Sequence, residues 1–355
     1  MWVVTRPRFR ESIESALATD PKLASRLHPV YLDLSPRLVR LKKRSWDLYW
    51  YYLLWQRALG RTARRLHAEH HFNLAHHVTF ANDWMPSGLT AVPDLPFIWG
   101  PVGGSSSVPV RRLAKWLGLR GIVTEVARKA ITSAARSIGG DPVARRAALV
   151  VAQNPQVGDH FERRGSAVVI EPNASLDDLP ARAKELSAKT AVFAGRLLAW
   201  KGAALAIDTI AHPRAVGWRL EIYGAGYDRT RLESRARDLG VSDRVVFLGQ
   251  RPRAEVLQAI AQAQVFLFPS MHDQAGWVAA EANSIGCPTV CLPLGGPPLL
   301  ASPNVFPASL SGDIVKNLAE QLLLAAAAGG TPTSRWSIDR LPGAVDGWYD
   351  QALTR

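Results

Sequence analysis

Short apolar runs alternating with proline-free, helix-compatible stretches predict an α/β protein with doubly wound parallel sheets. Three observations carry that expectation. After residue 190 the alternation is regular through four successive strand–helix units. Residues 264–296 read as strand, loop, helix, strand and glycine-rich turn. A chain of 355 residues, 47% hydrophobic and 21% charged, has globular composition at a length that favours two domains. The division expected is 1–172, a linker at 173–189, a second domain at 190–333, and a C-terminal helix at 334–355 crossing back to the first.

In chain order, Trp2–Thr5 reads as a strand, Glu11–Ala18 as a helix and Val30–Leu34 as a second strand. Residues 45–70 read as one long helix capped by Ser45. Its first half is aromatic (Trp46, Tyr49, Trp50, Tyr51, Tyr52, Trp55). Two accounts of that breadth stand, core packing on most sides or contact with a membrane. Residues 73–80 and Phe97–Trp99 are strands, the latter running into Gly100–Ser107, a loop with bare backbone but no Gly-Lys-Ser/Thr of a P-loop. Residues 111–146 carry nine cations against Glu125 and Asp141, with apolar residues interleaved. This segment is either a basic amphipathic surface for anionic lipid or a solvated helix whose far side packs on its domain. Leu149–Val151 and Val168–Ile170 are strands. Strands at 191–194, 219–223, 244–248, 265–268 and 288–292 follow, separated by helices at 203–210, 227–239, 255–263 and 278–285. A last helix falls within 336–353.

Composition excludes several classes. No run of 18 uncharged apolar residues is present, so a membrane span is not expected. The opening Met1–Arg6 lacks the features of a signal peptide. Cys287 and Cys291 are the only cysteines; they support neither a disulfide framework nor a zinc site, read as small core hydrophobes, and suit a reducing cytosol. The formal charge of +13 calls for an anionic partner. No nucleic-acid-binding motif accompanies it, so nucleic acid is not expected. The Asp177–Asp178 pair has no third ligand nearby, and no metal is expected.

Four loops at the carboxyl ends of strands in the second half carry suggestive residues: Gly195-Arg196 with Lys201-Gly202, Gly224-Ala225-Gly226, Gly249-Gln250-Arg251, and Asp273 through Gly276. Loops on that edge of a parallel sheet converge on one crevice. Two cations and a helix N-terminus there suit a diphosphate, and a carboxylate one turn into the helix suits a ribose diol.

In this set and order the chain resembles the retaining glycosyltransferases of family 4, which have the GT-B architecture of two Rossmann-like domains facing a cleft. The matching residues are Gly195–Gly202, Ile222–Gly226, Val246–Gly249, and Pro269–Gly276 leading to Glu281-Ala282. The family signature of two acids separated by seven residues reads here Asp273 to Glu281, with Asp where Glu is usual. The resemblance implies transfer of a sugar from a nucleotide-diphosphate donor to a polysaccharide or lipid-linked acceptor, at the inner membrane face and without metal. Arg196 and Lys201 would hold the diphosphate, Glu281 the ribose and Asp273 the donor sugar. Ala275, Gly276 and Trp277 would offer backbone N–H groups. Gly224 and Gly226 belong to the same donor loops, and Gln250 and Arg251 would lie beside the base. His76 or His77, with Gly103 and Gly104, would face the acceptor. Members of this family normally begin with a strand and a glycine-rich loop; here Met1 falls on what reads as the second strand, so the first sheet is expected to lack its first βα unit. The second reading is a catalytically impaired relative acting as a binding or scaffold protein.

Overall fold

The computed structural model describes residues 1–44, 46–78, 80 and 82–354. Ser45, expected to cap the aromatic helix, lies outside the described residues, as do Thr79 and Ala81 of the loop after the third strand.

Strands β1 (Trp2–Thr5) and β2 (His28–Tyr31) pair in parallel as a two-stranded sheet, joined by helices α1 (Arg10–Thr19) and α2 (Pro21–Arg26). Helix α3 (Pro36–Leu41) leads to α4 (Asp47–His70). Asp47 opens α4, its carboxylate accepting hydrogen bonds from the backbone N–H groups of Lys43 and Arg44 at 2.9 and 2.7 Å. A separate four-stranded parallel sheet runs in the order β3 (Ala75–His77), β4 (Phe97–Val102), β5 (Leu149–Ala152), β6 (Val168–Ile170). These two sheets and their helices form the N-terminal lobe. The aromatic face of α4 is mostly core: Tyr51, Tyr52 and Trp55 are buried, while Trp46 and Tyr49 remain exposed.

The basic segment becomes α5 (Val110–Ala135), a π-helical turn, and α6 (Asp141–Arg146), followed by α7 (Pro155–Glu162) after β5. Helix α5 is broken at Gly118, whose φ of 63° and ψ of 174° belong to a region that only glycine occupies without strain. Ahead of the break, Leu113, Trp116 and Leu117 are buried in the core of the second lobe. Of the two readings of 111–146, packing holds for that face: those three side chains are closed to lipid. Both carboxylates of the segment, Glu125 and Asp141, are buried as well.

The C-terminal lobe is one six-stranded parallel sheet in the order β12-β11-β10-β7-β8-β9. Its strands are β7 (Ser187–Ala194), β8 (Arg219–Tyr223), β9 (Val245–Gly249), β10 (Ala263–Phe268), β11 (Thr289–Cys291) and β12 (Val305–Pro307). The helices are α8 (Ala203–Ala211), α9 (Arg229–Asp238), α10 (Arg253–Gln262), α11 (Trp277–Ile285), α12 (Pro297–Leu300) and α13 (Ile314–Ala328). The central strands are apolar on both faces because helices cover both. Cys287 and Cys291 are buried free thiols in this core, where burial pushes them up to about 11 and about 12. The last helix, α14 (Leu341–Leu353), returns to the N-terminal lobe, where Trp348 and Ala352 pack on Ile98, Leu149 and Val151.

The two lobes are thus exchanged in both directions. The start of α5 is fixed to the C-terminal lobe by the indole N–H of Trp116, which donates to the buried Asp208 carboxylate at 2.9 Å, itself paired with Arg235. The far end of the chain is fixed to the N-terminal lobe by α14. Among the described residues no helix is long and apolar enough to cross a membrane.

Candidate donor site between the lobes

The strand order puts the loops after β7, β8, β9 and β10 along one sheet edge, and there they enclose a cavity of about 530 Å³. Its lining includes Arg196 and Lys201 from the first loop, Gly224 from the second, Gln250 and Arg251 from the third, and Asp273, Gly276, Trp277 and Glu281 from the fourth and α11. Residues as far apart as 196 and 281 therefore share one hollow.

Local sequence explains how each is held. Gly202 takes a φ of 84°, and a Cβ there would collide with the Pro269 carbonyl. Only glycine lets the short turn Ala199–Lys201 lie against the Pro269 loop. Lys201 Nζ then reaches Asp273 Oδ2 at 2.6 Å, and the Ser270 hydroxyl donates to the same oxygen at 3.0 Å. Gly276, also left-handed, starts α11, so the first N–H groups of that helix point at the cavity with the positive end of its dipole. Glu281, one turn further on, is paired with Arg253 at 2.7 Å. Tyr223 closes the wall; burial, with Glu221 beside it, pushes its phenol up to about 12, so it stays a hydrogen-bonding hydroxyl.

A second cavity of about 440 Å³ adjoins the first, sharing Arg196, Lys201, Asp273, Gly276 and Trp277. Ala275 lines it, with Trp200, His272 and Gln274, and the N-terminal lobe contributes Arg128 and Gln153. Burial lowers the Arg128 guanidinium below its ordinary value. His272 is held at about 3, by burial first and by the nearby charge of Arg128, so the imidazole is neutral.

Several of the expected site residues lie away from these two cavities. His76 and His77 do not line either cavity. His76 Nε2 bonds the Gly100 carbonyl at 2.9 Å and its ring sits edge-on to Trp348 and Tyr349 of α14. His77 is buried beside the Tyr52 hydroxyl and the Gln56 amide, at 3.3 and 3.4 Å. Both histidines end a strand that α4 and α14 cover, so packing takes them. Gly226 is pressed against the Leu197 backbone rather than open to the donor cavity, and Gly104 packs on Asn82, Asp83 and Trp84. Gly103 does face the cleft, with Gln153 and Gln274 as its neighbours. Sequence reasoning missed Arg253, Ser270, Arg128 and Glu125. For Glu125 a signal existed: it is a carboxylate set among the cations of α5, and a charge that survives there has a buried partner.

Two facing lobes, each built on parallel sheets, with the site at the strand ends of the second, define a GT-B fold. Residues 177–325 match the family model of glycosyl transferases group 1, and over that segment the chain is similar to the group 1 glycosyltransferases. Among curated relatives, the 2-deoxystreptamine glucosyltransferase of Streptomyces kanamyceticus is 31% identical over 123 residues, 32% of this chain and 32% of that protein. The D-inositol 3-phosphate glycosyltransferase of Corynebacterium urealyticum is 30% identical over 173 residues, 42% of this chain and 41% of the relative. The chain thus spans less than half the length of each. Solved structures resemble it across both lobes. The apo lipopolysaccharide outer core galactosyltransferase WaaB superposes with a TM-score of 0.55 at 15% identity, covering 94% of this chain and 84% of that one. The Anabaena protein HepE in complex with UDP gives 0.53 at 15% identity, covering 96% and 89%.

Proposed function

We propose that the protein transfers a sugar from a nucleotide-diphosphate donor to a glycan or lipid-linked acceptor with retention of anomeric configuration. The observation that carries this reading is the single cavity shared by Arg196, Lys201, Asp273 and Glu281. The diphosphate sits between Arg196, Lys201 and the α11 N-terminus. As the anomeric C–O bond breaks, negative charge grows on the leaving phosphate, and the two cations with the helix N–H groups stabilise it without a metal. Glu281 accepts from the ribose hydroxyls, exchanging its partner Arg253 for them in part. Asp273, freed from Lys201 when that lysine turns to phosphate, accepts from the donor sugar. The leaving phosphate takes the acceptor proton, so no protein base is required.

The acceptor lobe meets an anionic membrane surface through the outer face of α5 in this reading. Leu119, Val123 and Val126 form an exposed stripe at helical spacing, flanked by exposed Arg111, Arg112, Lys115, Arg120 and Lys129. Supporting this, both carboxylates of the segment are buried while those five cations are exposed; Arg128 and Arg136 turn inward, to Glu125 and Asp83.

Release of nucleoside diphosphate from a panel of UDP- and GDP-sugars, with the product's anomeric configuration read by NMR, tests the proposal. Turnover that survives in Glu281→Gln and Lys201→Ala would sink it. Sedimentation with phosphatidylglycerol vesicles, against phosphatidylcholine alone, tests the membrane face.

A further inference from the structure

Trp277 is the first residue of α11, where any residue would offer the donor its backbone N–H. The side chain is nevertheless an indole, 41% exposed, and it borders both cavities. It takes no part in the core of its own lobe. Its ring N–H donates to Asn173 Oδ1 at 3.2 Å, which fixes the ring against the segment between the lobes. A large apolar side chain held in the open at the seam of two cavities marks a contact surface.

The rest of the second cavity is polar, and its charges are already matched. Gln153, Asn173 and Gln274 bring side-chain amides, and His272 is a neutral imidazole. Gln274 is turned to the other lobe: its side-chain oxygen accepts from the Ser106 hydroxyl and its backbone carbonyl from the Asn154 amide, each at 2.9 Å. The side-chain oxygens of Gln153 and Gln274 lie 2.9 and 3.2 Å from where a Cβ on Gly103 would stand. Two amides and bare backbone therefore meet at one point. Arg128 pairs with Glu125, and Lys201 with Asp273; Arg196 is taken by the diphosphate in the donor reading. A carboxamide offers a donor and an acceptor side by side, as neighbouring hydroxyls do. The face of an indole is negative and its body apolar, which suits the C–H face of a pyranose. A phosphate or carboxylate here would give up its water for amides alone.

We propose that the acceptor is the uncharged end of a glycan and that Trp277 is its platform. One pyranose lies with its C–H face on the indole, and its hydroxyls meet Gln153, Gln274 and the Gly103 backbone. Trp277 and Gln153 thereby set which acceptors are taken. Asp273 and Gly276 border both cavities, so a sugar on Trp277 adjoins the donor sugar. That adjacency rests on the donor-site reading; the seating of a neutral sugar ring on the indole does not.

The test uses the full chain, and its first arm needs no donor. Saturation-transfer NMR is run with methyl glucoside, methyl galactoside and methyl mannoside, and with methyl glucuronide as the charged counterpart. At least one neutral glycoside takes up saturation, most strongly on its ring C–H protons, and binds roughly tenfold more tightly than the glucuronide. In Trp277→Ala the affinity for that glycoside falls roughly tenfold, and Trp277→Phe regains most of it. The second arm is turnover with UDP- and GDP-sugars and the same glycoside. There Trp277→Ala raises the acceptor KM more than it lowers kcat, and the ratio of transfer to donor hydrolysis falls by a similar factor. Failure of all three neutral glycosides to bind, with or without UDP, overturns the proposal. So does a glucuronide that binds as well as the glucoside, or a Trp277→Ala chain with unchanged glycoside affinity. Hydrolysis that falls as far as transfer in Trp277→Ala would assign the indole to the donor instead. If the chain binds neither UDP nor GDP, the donor-site reading fails, and the first arm still decides whether a sugar ring rests on Trp277.

Discussion

The C-terminal and N-terminal walls of the cleft are made in different ways. On the C-terminal side each functional group sits on a short loop after its own strand, and a few backbone constraints hold it: the left-handed Gly202, the Pro269–Gly276 loop and the first turn of α11. On the N-terminal side the residues at the cleft, Ser106, Glu125, Arg128, Gln153 and Asn154, arrive from a glycine-rich loop, a broken helix and the end of β5. That helix is held in place by the other lobe, through Trp116 and Asp208. The first wall is a product of local chain geometry. The second exists only because the lobes are docked.

Four measurements break or sharpen that contrast. Trp116→Ala removes a buried anchor from one lobe's core while altering the other's wall. A stability loss of about 3–5 kcal/mol is expected from the urea midpoint, and a loss below about 1 kcal/mol would mean α5 is not bound to the C-terminal lobe. Lys201→Ala is expected to lower donor turnover by about 10²–10³-fold. His76→Ala, on the wall where packing claimed the histidines, leaves it within about twofold by the same assay of diphosphate release.

The third measurement is of pH. His77 is pushed down to about 4, by burial first and by the charge of His76. Its folded-state value lies below the unfolded one of about 6.5. The unfolded chain therefore binds the proton first. The stabilisation is whole above about pH 6.5 and is lost as pH falls toward about 4, by an amount on the order of 2–3 kcal/mol. The difference between wild-type and His77→Gln unfolding curves across that window isolates it. Smallest of the four, Gly118→Ala meets no neighbouring atom and costs only backbone strain, about 1–3 kcal/mol. UDP binding stays unchanged, as calorimetry would show.

The sequence by itself determined the strand–helix alternation, the sheet class and most of the donor cavity. The apolar run of a strand such as Arg219–Tyr223 and the glycines of a turn such as Gly195–Gly202 are legible locally, and a strand-end loop has only one edge of the sheet on which to lie. The same reasoning misjudged His76, His77 and Gly226. Nothing local distinguishes a strand-end histidine facing a ligand from one covered by α4 or α14, and nothing within the loop shows that Leu197 fills the space beside a glycine. Helix α13 was not among the expected elements, for its place is set by the sheet it covers. Tertiary structure alone decided that Leu113, Trp116 and Leu117 belong to the other lobe's core, that Glu281 has Arg253 as partner, and that His272 and Gln274 face away from Asp273. Each of these is a contact between segments far apart in the chain, fixed by the burial of side chains whose partners no spacing rule can name.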